Sequence, residues 1–258
     1  MGDAGLTALR NLLSEPRLGD GQARVPLGHR GADETLGGGL PKGALHEVFA
    51  RDSSHGGAAT GFAAGLGLRL GEGKPLLWIR QDFSALEFGE LHAAGLVELG
   101  LDPDSVILVR AANAGQVLRA AADGLACAAL GAVIAEIPAE PKILDLVASR
   151  RLAFAAAQRN VTAILVRLAA EPDASAAETR WAVRAARSSN DDENNEWGAP
   201  MFEAELIRNR HGRTGSWVME WNSDDGIFRE PNQAAHSGGL AAASADRPVQ
   251  PWRIRHTG

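Results

Sequence analysis

Between residues 44 and 178, short apolar runs alternate with longer stretches whose apolar residues recur at helical spacing. The short runs predict strands, and the stretches between them predict helices. The predicted strands are 45–49, 76–80, 105–109, 132–137 and 161–167, and the predicted helices lie near 57–70, 85–99, 114–128 and 141–157. Several strands are almost wholly apolar, as in parallel sheets that are covered on both faces. The pattern therefore predicts an α/β core of right-handed βαβ units.

The pattern changes after about residue 178, where helical spacing ends. Strands are predicted at 179–187, 202–209 and 216–221, and the last two are joined by a turn through 211–215. Glycines in this turn tolerate positive φ. The acidic stretch 188–197 predicts an exposed loop. The predicted fold class is thus a mostly parallel sheet flanked by helices, with antiparallel strands at the C-terminal part.

The N-terminal region has its own pattern. Leucines at positions 6, 9, 12 and 13 have helical spacing, and Asp3 is a candidate N-cap. A Gly-rich polar stretch, 19–31, predicts a tether. The amphipathic helix either folds onto its own domain or docks on a partner, and the sequence leaves both readings open.

Residues from 230 onward have the composition of a flexible tail. The tail ends in an apolar and basic element, and Trp252, Arg253 and Arg255 are candidate contacts with a partner or with DNA. The alternative is a C-terminus without a role. The predicted organisation is an N-terminal helix and tether (1–30), a core (31–229) and a tail (230–258).

Composition limits the class of protein. The chain has 258 residues, 45% of them hydrophobic and 22% charged, which is ordinary globular usage. One cysteine, Cys127, excludes an internal disulfide, and its neighbours Ala and Leu predict a core position. The N-terminus does not resemble a secretory signal, and no apolar run is long enough to span a membrane, so a cytoplasmic protein is expected. The net charge of −6 argues against a generic nucleic-acid surface but leaves room for a local basic strip.

The first strand leads into a loop with the layout of a phosphate-binding loop. A nucleotide-binding loop reads G-x-x-x-x-G-K-[ST], in which Lys contacts the terminal phosphates and the hydroxyl binds Mg²⁺. At the four defining positions this chain has Ala50, His55, Gly56 and Gly57, with Ser53 and Ser54 inside the loop. The amides near Gly56 can still form a weak anion nest. Without the lysine and the hydroxyl, tight Mg-ATP binding is not expected, and no cofactor is predicted.

No other catalytic pattern is present. The seven histidines are scattered, without an i, i+4 pair and third ligand, so no metal site is predicted. There is no G-x-S-x-G elbow for a nucleophile.

The segment 33–49, DETLGGGLPKGALHEVF, resembles the lead into the ATP loop of the RecA recombinase family. The chain resembles one subgroup more closely, the ImuA family, which is bacterial, RecA-like and associated with damage-inducible mutagenesis. Segments 76–82, 179–187 and 202–213 carry this likeness, together with the terminal Trp252-Arg253, and it spans roughly residues 30–228. The resemblance implies a RecA-like core.

The resemblance also assigns meaning to two acids and one loop position. Asp82 stands where the recombinases place a water-activating Glu, and Glu136 where they place a metal-linked Asp. These residues are either a residual acid/base pair or ordinary polar strand ends, and the second reading is favoured because nothing nearby would hold a nucleotide. His55 occupies a Gly position whose left-handed conformation would strain a side chain.

The C-terminal strands carry two short rows of arginines, which we call the basic strips. Arg180 and Arg184 share one face of a predicted strand, and Arg208 and Arg210 share a face of the hairpin. Such rows could contact a phosphate backbone or an acidic protein, or could form an ordinary solvated strand face. In the RecA family, basic residues in this region can lie at subunit interfaces.

The function implied by the resemblance is a catalytically silent adaptor in damage-inducible (SOS) mutagenic translesion DNA synthesis, not an enzyme. The implied partners are an ImuB-like protein, an error-prone DNA polymerase subunit and RecA, with DNA contacted indirectly. Two alternatives stay open: a RecA-like ATPase with an unorthodox loop, which predicts Mg²⁺-dependent nucleotide affinity, and a DNA-binding module, which predicts binding that weakens steeply with salt. The sequence does not define the oligomeric state.

Overall fold

The computed structural model describes residues 23–187 and 198–231. The predicted N-terminal helix, the acidic loop and the Trp252 element lie outside the described residues. The strands are β1 (Arg24–Val25), β2 (Leu40–Pro41), β3 (Leu45–Ala50), β4 (Leu76–Gln81), β5 (Val106–Ala111), β6 (Ala132–Pro138), β7 (Thr162–Leu168), β8 (Thr179–Ala185), β9 (Met201–Asn209), β10 (Gly215–Asn222) and β11 (Ile227–Arg229). The helices are α1 (Arg30–Thr35), α2 (Gly56–Gly71), α3 (Ser84–Phe88), α4 (Ala93–Glu98), α5 (Ala114–Leu125) and α6 (Leu146–Arg159).

One sheet of nine strands organises the fold, in the order β11-β10-β9-β8-β3-β7-β6-β4-β5. The six strands from β8 to β5 are parallel, and β9, β10 and β11 continue the sheet in antiparallel pairs. The predicted fold class is confirmed. Because the carboxyl ends of parallel strands meet at one edge, the loops after β3, β4, β6 and β7 gather there.

Each face of the sheet has its own core. Val48 packs toward α2, and Leu45, three residues earlier and on the other face, packs toward α5 and α6. Side chains alternate between the faces of a strand, so covering both faces requires apolar residues at nearly every position. This double cover accounts for the apolar runs in the central strands.

An aromatic cluster attaches the antiparallel strands to α2. Phe62 of α2 packs against Trp181, Phe202 and Phe228, with ring centroids 5.5, 5.7 and 4.8 Å away. Trp221 adds a contact of 4.7 Å to Phe228. The other face of β9 and β10 stays open to solvent. The cluster fixes the antiparallel strands relative to the parallel core.

The folded region begins before residue 31. Arg24–Val25 pairs with Leu40–Pro41, and Leu27 is buried in the core that lies on the α2 side. The backbone amide of Phe228 donates to the carbonyl of Leu27 over 2.9 Å. This segment therefore also covers the outer side of β11.

Two local predictions were wrong. The single helix near 85–99 is two short helices, α3 and α4, because Gly89 has φ +77 and interrupts helical geometry. Cys127 is exposed, since α5 ends at Leu125 and the cysteine lies in the turn that follows.

Candidate functional site

The candidate site is the loop between β3 and α2. β3 ends at Ala50, residues Ser53–His55 form a 3-10 turn, and α2 begins at Gly56. A helix N-terminus at the carboxyl end of a parallel strand is the usual place for a phosphate. The backbone layout of a phosphate-binding loop is therefore present, and its side chains decide what it can hold.

At this turn, the carboxylate of Asp52 accepts the hydrogen bond that a backbone amide would otherwise donate to a phosphate. The Asp52 carboxylate accepts a hydrogen bond from the Ser54 backbone amide (3.0 Å) and another from the Ser54 hydroxyl. The hydroxyl bond is the main reason that the pKa of Asp52 is lowered, so the carboxylate is ionised at neutral pH. A fixed negative charge next to Ser54 repels phosphate, and the Ser54 amide that would cradle a phosphate is already bonded.

The space at the lysine position is also filled. A Cβ added to Gly56 would lie 2.8 Å from Cδ1 of Phe88, which is well inside van der Waals contact. Phe88 ends α3 and packs against the core on the α2 side. At Gly57, by contrast, nothing lies within 4 Å of an added Cβ. A side chain at position 56 would therefore require Phe88 to move.

His55 is not strained, contrary to the prediction. Its φ of −101 lies outside the left-handed region, so the loop does not adopt the conformation that requires glycine. Its Nε2 lies 3.9 Å from Oδ2 of Asp52. The imidazole therefore lies beside the acid that fills the turn.

A cavity of about 160 Å³ lies beside the loop. Sites for drug-sized ligands are typically about 300–1,000 Å³. Its lining includes three acids, Asp52, Glu203 and Glu205, and two bases, Arg51 and Arg184. Its size and its acids are unfavourable for a nucleoside triphosphate.

The two retained acids do not form a pair. Asp82 is exposed in the turn after β4. Glu136 is fully buried, where Trp78 Nε1 donates to one carboxylate oxygen (2.8 Å) and Arg80 Nε donates to the other (2.7 Å). Burial raises the pKa of Glu136, and Arg80 and Trp78 oppose that rise. Glu136 has the surroundings of a structural ion pair, with both of its oxygens occupied.

Arg80 links this buried acid to the loop. Its Nη2 donates to the carbonyl of Gly89 over 2.9 Å, next to Phe88 in the chain. The Glu136–Arg80 pair thereby anchors the residue that follows Phe88 and helps to hold the ring over Gly56. Sequence reasoning missed Arg80. An arginine within an apolar strand could have indicated a buried ion pair, because a buried charge needs a partner.

Arg180 lies inside the protein, which corrects its prediction as a surface contact. Its Nε donates to Glu47 over 2.6 Å, and its Nη2 donates to the carbonyl of Asp173. Only 7% of Arg180 is exposed. Sequence reasoning missed Glu47 as well, because 133 residues separate the two partners.

The other three arginines of the two basic strips each lie next to a carboxylate or a carbonyl oxygen. Arg184 is exposed, and its Nε lies 3.8 Å from Glu203. Arg208 donates to the carbonyl of Ser175 over 3.2 Å, and Arg210 lies 3.5 Å from Glu178. The strips are thus partly neutralised, and they do not form one basic surface.

Two kinds of feature are absent from the residues that the structure describes: a metal-binding cluster and a membrane-spanning helix. Within 23–187 and 198–231, no group of His, Cys, Asp and Glu is arranged to hold a metal ion. None of the helices in these ranges is both long and apolar enough to cross a membrane.

Comparison with known proteins identifies relatives of this chain. No family model matches the chain. Protein ImuA of Caulobacter vibrioides strain NA1000 / CB15N is 29% identical over 227 residues, which cover 83% of this chain and 86% of the relative. Protein ImuA of strain ATCC 19089 / CIP 103742 / CB 15 matches to the same extent. The resemblance to the ImuA family, which the sequence motifs indicated, is thereby confirmed.

Proposed function

We propose that the chain is a catalytically silent adaptor in damage-inducible mutagenesis. It holds macromolecular partners on a rigid RecA-like core and does not hydrolyse a nucleotide. The proposal rests mainly on the loop, where Phe88 fills the space at Gly56 and the Asp52 carboxylate takes the amide of Ser54.

The chemistry of phosphoryl transfer supports this reading. The reaction depends on positioning and on stabilising the charge of the phosphates, for which loop enzymes use a lysine and Mg²⁺. In this loop Gly56 and Gly57 stand at those two positions, and the loop carries the negative charge of the Asp52 carboxylate. The loop retains its backbone layout but lacks the groups that stabilise a phosphate.

The partners are those that the likeness to the ImuA family implies, and they belong to the proposal. They are an ImuB-like protein, an error-prone polymerase subunit and RecA, in a cytoplasmic complex of SOS translesion synthesis. The Trp252 element and the amphipathic N-terminal segment are the proposed contacts, because a tryptophan or a leucine stripe can supply most of an interface's binding energy. Arg184 and the hairpin arginines are secondary candidates, in view of the acids beside them.

The test is a binding titration of the full chain against a purified ImuB-like protein. We expect binding to be the same with and without Mg-ATP, and to weaken about 30-fold or more for Trp252→Ala, the loss of a hot-spot side chain. Gln250→Ala, two residues away, serves as the matched control and should bind like the unchanged chain.

Two outcomes would contradict the proposal in different ways. Binding that requires Mg-ATP would contradict the silent-adaptor role. Equal binding by the Trp252→Ala variant would instead exclude the tail as the contact and leave the adaptor role to the other segments.

A further inference from the structure

Within the part of the chain that the structure describes, one edge of the nine-stranded sheet is apolar and open. β5 is the outermost strand, and it pairs only with β4 among the strands of the described chain. Its sequence, VILVRA, has one charge in six residues and no proline. Ile107 is 51% exposed and Leu108 is 41% exposed, and as neighbours in a strand they face opposite sides of the sheet. The sequence pattern predicted a strand covered on both faces, whereas the structure leaves both faces partly bare.

The opposite edge has the protection that β5 lacks. β11 is only three residues long, the backbone amide of Phe228 donates to Leu27 on its outer side, and Arg229 donates to Glu220 of the neighbouring β10 over 2.9 Å. Short strands, charges and covering segments are the means by which proteins prevent edge pairing. In the described ranges, no backbone hydrogen bond is made on the outer side of β5. An open edge of this kind is a template for another strand.

The charges at the two ends of β5 point to the partner. Asp102 and Asp104 lie in the turn before the strand, and Arg110 lies near its carboxyl end; all three are exposed. A strand with acids at one end and a base at the other is complementary to itself only when the two copies run antiparallel. A parallel copy would place like charges together.

We propose that two copies of this chain associate edge to edge through antiparallel β5 strands, which gives one continuous sheet across a twofold axis. Pairing centred on Ile107 brings Arg110 of each copy toward the 102–105 turn of the other. Arg110 already donates through Nη2 to Glu90 over 2.6 Å, but its side chain is 47% exposed and a guanidinium has five donors. It can therefore bind Glu90 and a carboxylate of the second copy together.

The first test is the self-association of the full chain, measured by sedimentation equilibrium over a range of concentrations. We expect a monomer–dimer equilibrium that Ile107→Lys weakens at least tenfold, because the twofold axis places two added charges together. Val218→Lys is the matched control, since Val218 is a 42%-exposed strand residue of β10, away from this edge. It should dimerise like the unchanged chain.

The second test uses the charge pattern and does not depend on the stability of any one variant. Asp104→Lys and Arg110→Glu should each weaken the dimer, since each places like charges together at both ends of the interface. An equimolar mixture of the two variants should restore dimers, because at both ends of a mixed pair position 104 of one copy and position 110 of the other then carry opposite charges. Sedimentation velocity with one variant fluorescently labelled would detect the mixed dimer.

The outcomes are decisive in both directions. Restored association in the mixture, together with loss in the single variants, supports the β5 interface. A chain that stays monomeric at all concentrations would overturn it. A dimer insensitive to Ile107→Lys, or a mixture no stronger than its components, would overturn it equally.

Discussion

Two neighbouring glycines at the start of α2 should respond in opposite ways to the same substitution. In Gly56→Ala, the added methyl group lies 2.8 Å from Cδ1 of Phe88, so the ring or the helix must shift. Overpacking of this kind typically costs about 1–3 kcal/mol. Alanine recovers part of that cost, up to about 0.5–1 kcal/mol, through its better helix propensity. We expect a net loss of about 1–2 kcal/mol in the free energy of unfolding.

Gly57→Ala is the matched control, because nothing lies within 4 Å of the added methyl group. It should leave the free energy of unfolding unchanged or raise it by a few tenths of a kcal/mol, from helix propensity alone. Urea denaturation followed by circular dichroism measures both variants, and an unchanged m-value would show that the unfolded states are comparable.

The cause of the loss can be tested by truncating the ring. In a Phe88→Ala background, Gly56→Ala should no longer destabilise, which corresponds to a coupling of about 1–2 kcal/mol, within the range for residues in contact. If Gly56→Ala and Gly57→Ala behave alike, or if the loss persists without Phe88, then the ring does not fill the lysine position.

Three further outcomes follow from the structure. Burial lowers the pKa of His46 from 6.5 to about 4. As the pH falls between these two values, only the unfolded chain takes up a proton at this imidazole, so about 3 kcal/mol of stability should be lost. His46→Gln should flatten this pH dependence of the free energy of unfolding, measured by urea denaturation. Glu136→Gln removes the carboxylate that binds the buried Arg80 most closely and leaves only Glu90, 3.9 Å away, so it should cost about 3–5 kcal/mol in the same assay. A loss below about 1 kcal/mol would contradict the structural role of the pair. Fluorescence anisotropy with labelled DNA at low salt should show only weak binding that Arg184→Ala does not change, since Arg184 lies next to Glu203; tight, salt-sensitive binding lost in that variant would favour a DNA-binding role instead.

The elements that could be predicted from the sequence are those set by local pattern. The apolar runs of β3, β6 and β7 and the small-residue stretch of α2 have strand and helix signals within a few residues of their final bounds. The residues at which a helix begins and ends were harder to predict. The start of α6 is set by the Asp145 side chain, which accepts the amide of Ala148 over 2.8 Å, and the apolar pattern near residue 141 does not reveal that cap.

The contacts that define the site are long-range, and the sequence could not supply them. The glycine at position 56 showed that a lysine is missing, but it did not show that Phe88, 32 residues later, fills the space. Likewise, Arg180 was assigned to a surface strip by alternation along its strand, and only its pairing with Glu47 places it inside. Local periodicity specifies which face a side chain takes, but whether that face is covered depends on elements far away in the chain.

The central claim is that the loop between β3 and α2 holds no nucleotide. Isothermal titration calorimetry of Mg-ATP into the full chain, with Mg²⁺ omitted in a parallel run, measures this directly. The account predicts no saturable heat at millimolar ATP in either run. Micromolar, Mg²⁺-dependent binding that Gly57→Asp abolishes would contradict it, because a triphosphate would then be bound at the start of α2, beside Asp52 and Phe88.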